Sequence, residues 1–173
     1  MPHLTVPVSG QEVFSDSSSA LHALGTMGHS KDGRIFRYVL AGASALVVGN
    51  ALQTRVEDVD HDNIAVRATA KGATALLITT GASGGALDAN EYAEGYAVID
   101  TTPGLGYVYR ISDHAAIAAS TDGALNLSAE DAIQVALTTS SKVTLVASPW
   151  SKVIQCPVTT ATGACVGGAV YPT

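Results

Sequence analysis

The sequence predicts an all-β protein: a compact β-sandwich or β-barrel of short antiparallel strands, preceded by an extended N-terminal arm. Three observations carry this. From Arg34 onward, β-branched and aromatic runs recur about every ten residues. Glycine or Pro-Gly turns separate the runs, and no long helical period lies between them. With 173 residues, the chain suits one domain with an arm and is long enough to bury a core without a disulfide or metal.

Residues 1–33 read as the arm and 34–173 as the β-rich domain. Pro2, Pro7, repeated glycines and the serines at 15, 17, 18 and 19 leave the first segment too polar to form a core of its own. Within it, Leu4, Val6 and Val8 alternate as in a short strand, and Ser15–Leu24 fits one or two capped helical turns. The strand series then begins with Arg34–Leu40 (RIFRYVL) before the turn at Gly42. It continues through Ala45–Gly49 (ALVVG), Asn63–Ala70 (NIAVRATA) and Ala75–Thr80 (ALLITT). Gly95–Asp100 (GYAVID) and Gly106–Ser112 (GYVYRIS) flank TTPGLG and read as a hairpin around Pro103-Gly104. Ala124–Ser128, Ile133–Thr139 and Lys142–Ser148 complete the series. Ala86–Gly95 and Ala115–Ala119 contain helix formers but are short, and are read as turns on the β scaffold.

Composition narrows the function. Apolar residues make up 47%, aromatic residues 5% and charged residues 14%, against roughly 25% charged in ordinary soluble domains. Such a chain is not disordered. A net charge of −6 with scattered basic residues argues against nucleic-acid partners, which need lysine and arginine patches. No apolar run reaches the roughly 18 residues of a membrane span, and the first residues lack a signal peptide's pattern. The expectation is a soluble protein with neither nucleic acid nor membrane as partner.

No motif for chemistry is complete. Gly81–Gly85 (GASGG) matches G-x-S-x-G with Ser83 at the nucleophile position, but only His114 follows it, beside Asp113 in an expected turn. A glycine-rich loop explains it without catalysis. Asp58, Asp60 and Asp62 alternate as in a calcium loop, yet Asn63 stands where the loop's glycine belongs and no glutamate closes it. A weak cation site and an exposed polar loop both fit. His3, His22, His29, His61 and His114 show no metal-ligand spacing, and no nucleotide loop is present. Ser128-Ala-Glu-Asp131 reads as a turn. Cys156 and Cys165 match no zinc or redox motif; they are either two unbridged thiols or a bridge across the turn at Thr162-Gly163. Catalytic residues, cofactors and metals are all expected to be absent. Trp150 either plugs one end of the β-core or anchors an interface. With Leu4, Val6, Val8 and Phe14 it forms the candidate partner-interface set.

Three phrases, GRIFRYVLAGASALVVGNALQ, GYAVIDTTPGLGYVYRISDH and IQVALTTSSKVTLVASPW, resemble a family of small tailed-phage virion proteins found in cyanophage-like genomes. The resemblance runs from about Gly33 to the C-terminus and leaves the arm uncovered. It implies a bacteriophage capsid decoration, or cement, protein: a homotrimer synthesised in the host cytoplasm, bound to the major capsid protein on the capsid exterior at capsomer junctions. The alternative it leaves is a tail, neck or glycan-binding host-recognition component. The acidic balance is compatible with the outer face of a shell, since packed DNA of the same sign lies inside.

Overall fold

A computed structural model describes residues 5–171. The all-β expectation is met: short strands dominate, and the only helical elements among the described residues are two single 3₁₀ turns, Glu12–Phe14 and Val59–His61. The chain divides into two compact units. One is the continuous stretch Glu57–Ser148, and the other combines the residues up to Val56 with those from Pro149 on.

In the discontinuous unit, β1 (Thr5–Pro7), β2 (Met27–His29) and β3 (Ile35–Arg37) form one three-stranded sheet, with β1 parallel to β2 and β3 antiparallel to it. β4 (Ala51–Gln53) is the centre of a second. The continuous unit holds β5 (Ile64–Val66), β6 (Ala75–Thr79), β7 (Tyr96–Ile99), β8 (Val108–Asp113), β9 (Asp122–Leu127) and β10 (Lys142–Val146). After it, β11 (Ile154–Gln155) and β12 (Cys165–Gly168) flank β4 on its two edges.

The six strands of the continuous unit close into an antiparallel barrel in the order β10-β5-β6-β9-β8-β7. Closure removes the edges that an open sheet leaves unpaired. β6 and β9 pair over five residues, Ala75 with Asn126 through Thr79 with Asp122. A register shift between Ile111 and Asp113 marks the β8–β9 seam, the local bend by which barrels turn corners. Alternation sends Leu76, Ile78, Ile99, Ile111, Leu125, Val143 and Leu145 inward. So narrow a barrel is filled by side chains and leaves no channel. Leu87, Tyr92, Ile117, Ile133 and Leu137, from connecting segments, complete its core. A Cβ at Gly123 would collide with the Ile117 side chain, so the glycine makes room for that residue.

Several expectations need correction. The division at Gly33 does not describe the structure. β2 precedes it and β3 follows it, and they pair Met27 with Arg37 and His29 with Ile35. Asp32-Gly33 is the turn of that hairpin: Gly33 has φ +86° and donates to Ser30 O, while Ser30 N donates to Arg34 O. Ser15–Leu24 has no helical turn; serine-rich sequence favours side-chain bonds such as Ser17 Oγ with Tyr38 Oη over helix. Ala45–Gly49 is not a strand, and Ile133–Thr139 contributes only an isolated bridge, Leu137 to Thr69. In that segment, Ile133 and Leu137 serve as core plugs. The hairpin around Pro103-Gly104 is present as β7–β8, and Ala86–Gly95 is a run of turns with no α-helix.

Candidate interaction surface

The polar residues singled out by the sequence fall into two groups: those tied to the fold and those standing apart. His114 belongs to the first. It is buried, its Nε2 accepts from Tyr92 N at 3.1 Å, and its Nδ1 lies 2.9 Å from Ala115 O. An acceptor at Nε2 and a carbonyl at Nδ1 assign the proton to Nδ1, so both ring nitrogens are committed to backbone. Its own backbone is held by Asn90, which donates from N to His114 O and accepts at Oδ1 from His114 N. Tyr92, fully buried, carries the network on: its Oη lies 2.6 Å from His61 Nδ1. The acidic turn therefore has a buried histidine at its heart, which alternation of charged residues did not reveal. His61 Nε2 has no hydrogen-bond partner among the described residues.

Around that histidine the carboxylates are exposed. Asp58 caps the 3₁₀ turn by accepting from Asp60 N at 3.0 Å, and its Oδ2 stands 3.9 Å from His61 Nδ1. The Asp60 carboxylate lies against Gly84, where φ is +69° and a Cβ would overlap it. Two motifs distant in sequence, DVDHD and GASGG, thus meet at one end of the barrel. His114, the histidine a nucleophile at Ser83 would need, spends both nitrogens on backbone. Among the described residues no three His, Cys, Asp or Glu side chains stand close enough to hold a metal ion, Asp58, Asp60 and Asp62 included.

The expected partner-interface residues that the structure describes all belong to the discontinuous unit. Leu4 lies outside the described residues. Val6 pairs with Gly28 in the β1–β2 ladder, and Val8 packs its side chain on Gly28. Phe14, at the end of the first 3₁₀ turn, is exposed. Trp150 belongs to the discontinuous unit. The Arg37 guanidinium stacks over its ring at 5.4 Å and donates to Gly25 O at 2.8 Å. Gly25, at φ +79°, lies flat against the indole, with no space for a Cβ. Trp150 is thus half-buried and engaged by its own chain.

A different surface emerges on the barrel. Residues of β7, β8 and β10 whose neighbours point inward must point outward, and here many are apolar. Cross-strand register aligns Val146, Tyr96 and Arg110 in one row and Thr144, Val98 and Val108 in the next. Val108 is 52% exposed and Tyr96 38%, and the connecting turn adds Leu105 at 62%. The signal was present in the sequence: GYAVI and GYVY are apolar at both parities, so whichever face turns inward, apolar side chains remain outside. Among the described residues no helix is long and apolar enough to cross a membrane. Comparison with known proteins gives no match: no family model, no curated protein and no solved structure matches the chain.

Proposed function

We propose that this chain is a non-catalytic structural protein of a tailed-phage particle, a decoration protein that binds the major capsid protein on the outer shell and bridges capsomers as a homotrimer. The phage assignment rests on the three sequence phrases that resemble such proteins. The observation that supports a binding role is the apolar outer strip of Tyr96, Val98, Leu105 and Val108 on a barrel with no open edge. Apolar surface of this kind marks interaction sites when it is contiguous. His114, the histidine that a nucleophile at Ser83 would need, is meanwhile bonded to backbone through both ring nitrogens. Closed symmetric oligomers are the common way to cover such a face, and a threefold assembly matches the three-way junctions of a capsid lattice.

Imaging of purified particles with the chain labelled tests the assignment. Density in hundreds of copies over the head is the expected result, and a few copies at the neck or tail would replace it with the tail-component reading. Light scattering tests the oligomer: a mass near that of one 17.5 kDa chain in free solution removes the preformed trimer. Hydrolysis of a model ester that is lost in Ser83→Ala would overturn the non-catalytic reading.

A further inference from the structure

We infer that β1 is exchanged between copies of this chain: the Thr5–Pro7 strand of one copy pairs with β2 of the next. The exchange rests on the homotrimer proposed above and supplies a contact that holds it together. β1 is held by a short ladder and one knob. It pairs with β2 over three residues, Thr5 with Met27, Val6 with Gly28 and Pro7 with His29. Val8 N then donates to His29 O at 2.9 Å. The Val8 side chain fills the space over Gly28, where a Cβ would collide with it. Each of these contacts joins β1 or Val8 to residues 27–29, so a β1 supplied by a second copy makes all of them unchanged.

The connection back to β2 is what favours a second copy. Parallel neighbours need a crossover, and residues 8–26 provide one without a strand or an α-helix. From residue 9 to residue 23 every residue but Val13 is exposed, Phe14 and Leu21 among them at 49% and 67%. A crossover this long with no structure of its own is uncommon unless it has a role. Within one copy its two large apolar side chains are left in water; laid across a subunit boundary, the same crossover covers them. It is made of two pieces. The first is bonded to itself: Ser9 N donates to Glu12 Oε2 at 2.6 Å, Glu12 N to Ser9 Oγ at 3.2 Å, and Ser15 Oγ to Glu12 O at 2.9 Å. The second is tied to Tyr38, just past β3. Tyr38 Oη lies 3.2 Å from Ser17 Oγ and accepts from Leu21 N at 3.1 Å, and His22 meets its ring edge-on at 5.6 Å. Asp16 lies between the pieces, next to Ser15 in extended backbone. A change of direction there sends β1 to a neighbour while residues 17–22 stay on Tyr38. Fully extended, residues 8–17 reach roughly 30 Å, enough to cross an interface.

The same geometry sets the symmetry. Each copy gives one β1 and receives one at β2, so the giving and receiving surfaces differ. Such a head-to-tail contact closes as a ring, and three copies make that ring in the homotrimer. A β2 whose own β1 has left is an open edge of the kind that pairs with a free strand. In the ring every β2 is filled.

The test places cysteines at register partners in the full chain. Cys156 and Cys165 are free thiols, so both are first changed to Ser. Pro7→Cys and His29→Cys are then added, at two paired and exposed residues. Adjacent strands stand about 4.8 Å apart, inside the roughly 4.4–6.8 Å between Cα atoms that a disulfide spans. Light scattering first gives the mass in solution; mild oxidation and a non-reducing gel then show which chains are joined. The expected product of the double variant is a three-chain covalent species, with the single-chain band lost. Chains carrying one of the two cysteines each, produced together in one cell, should yield pairs that join Pro7→Cys to His29→Cys. Two-chain products alone from the double variant uphold the exchange and overturn the ring of three. An oligomer whose chains are each closed internally overturns the exchange and leaves the homotrimer standing. A monomer closed internally overturns both. Oxidised protein with no bond at this pair overturns the pairing of β1 with β2 in either form, and the exchange with it.

Discussion

Among the described residues, the barrel over Glu57–Ser148 gathers eighteen buried apolar side chains into one cluster, while the unit formed by the chain's two ends gathers four: Leu46, Leu52, Val153 and Ala169. Both are built from short strands. The difference is closure. In the barrel each strand has a neighbour on both sides, so every inward position meets others from across the ring. In the other unit, two three-stranded sheets leave four edge strands, and single devices replace a common core: Arg37 over Trp150, Gln53 with Thr162, Val8 on Gly28. Burial of a large aliphatic side chain stabilises by roughly 1.5–3 kcal/mol. The inventory therefore assigns most of the chain's stability to the barrel and leaves the ends dependent on local contacts.

The largest expected effect follows from that division. Glu57–Ser148 produced alone should retain cooperative unfolding and slow amide exchange along β6 and β9, whereas the two ends produced without it should not. In the whole chain, amides of β1–β3 should exchange well before those of the barrel. Equal protection in both units would break the comparison.

Point changes sharpen it. Leu125→Ala, at a fully buried position on β9, should cost about 4 kcal/mol, and Leu52→Ala about 2 kcal/mol, because a leucine in a small cluster leaves a cavity that its surroundings fill more easily. Denaturant titration followed by barrel and end-unit probes separates the two. His114→Ala should cost the barrel about 2–3 kcal/mol, since it removes the buried imidazole that accepts from Tyr92 N. Trp150→Ala should leave the barrel midpoint unchanged. It should speed proteolysis of the discontinuous unit, where the Arg37 stacking contributes about 1 kcal/mol.

The same contrast explains what could be read from the sequence. Barrel strands such as Leu76–Thr79 and Val143–Val146 are apolar and β-branched, so period and turn spacing located them. β4, β11 and β12 are two to four residues long and include Gln53, Gln155 and two glycines. Their pairing depends on residues about a hundred positions apart, and no local pattern announces it. The Asp32-Gly33 turn was visible, but read as a boundary it concealed the β2–β3 hairpin. For the candidate surface, apolar residues at both parities of Tyr96–Ile99 and Gly106–Tyr109 were a usable signal. The His61–Tyr92–His114 network was not, because its members come from three connections that only the closed barrel brings together.

The smallest expected effect concerns acid, and it too compares the units. On the barrel, Asp113 accepts from Asn126 Nδ2 at 2.6 Å and from Ser112 Oγ at 2.8 Å. These bonds, Asn126 first, hold its carboxyl below the usual carboxylate range. In the other unit Asp32 is lowered chiefly by Ser30 and then by the Arg34 backbone N–H, and Glu12 by the backbone and hydroxyl of Ser9. A carboxyl lowered by folding contributes stability that is fully present above its unfolded pKa and is lost as pH falls through its folded one. All three contributions should therefore be intact at neutral pH and disappear only below the ordinary carboxylate range. All three groups are at the surface, where solvent screening keeps such effects small. What separates the units is the holder. Asn126 is fixed in β9 and Asp113 ends β8, whereas Ser9 and Ser30 lie in turns. Carboxyl titration by NMR should give Asp113 a midpoint below the usual range that returns toward it in Asn126→Ala. The Glu12 and Asp32 midpoints should return toward the ordinary values when the discontinuous unit is loosened by Trp150→Ala, with Asp113 unmoved. A joint shift of all three on loosening that unit would show the barrel's hydrogen bonds to depend on the ends, and the independence of the two units would fall.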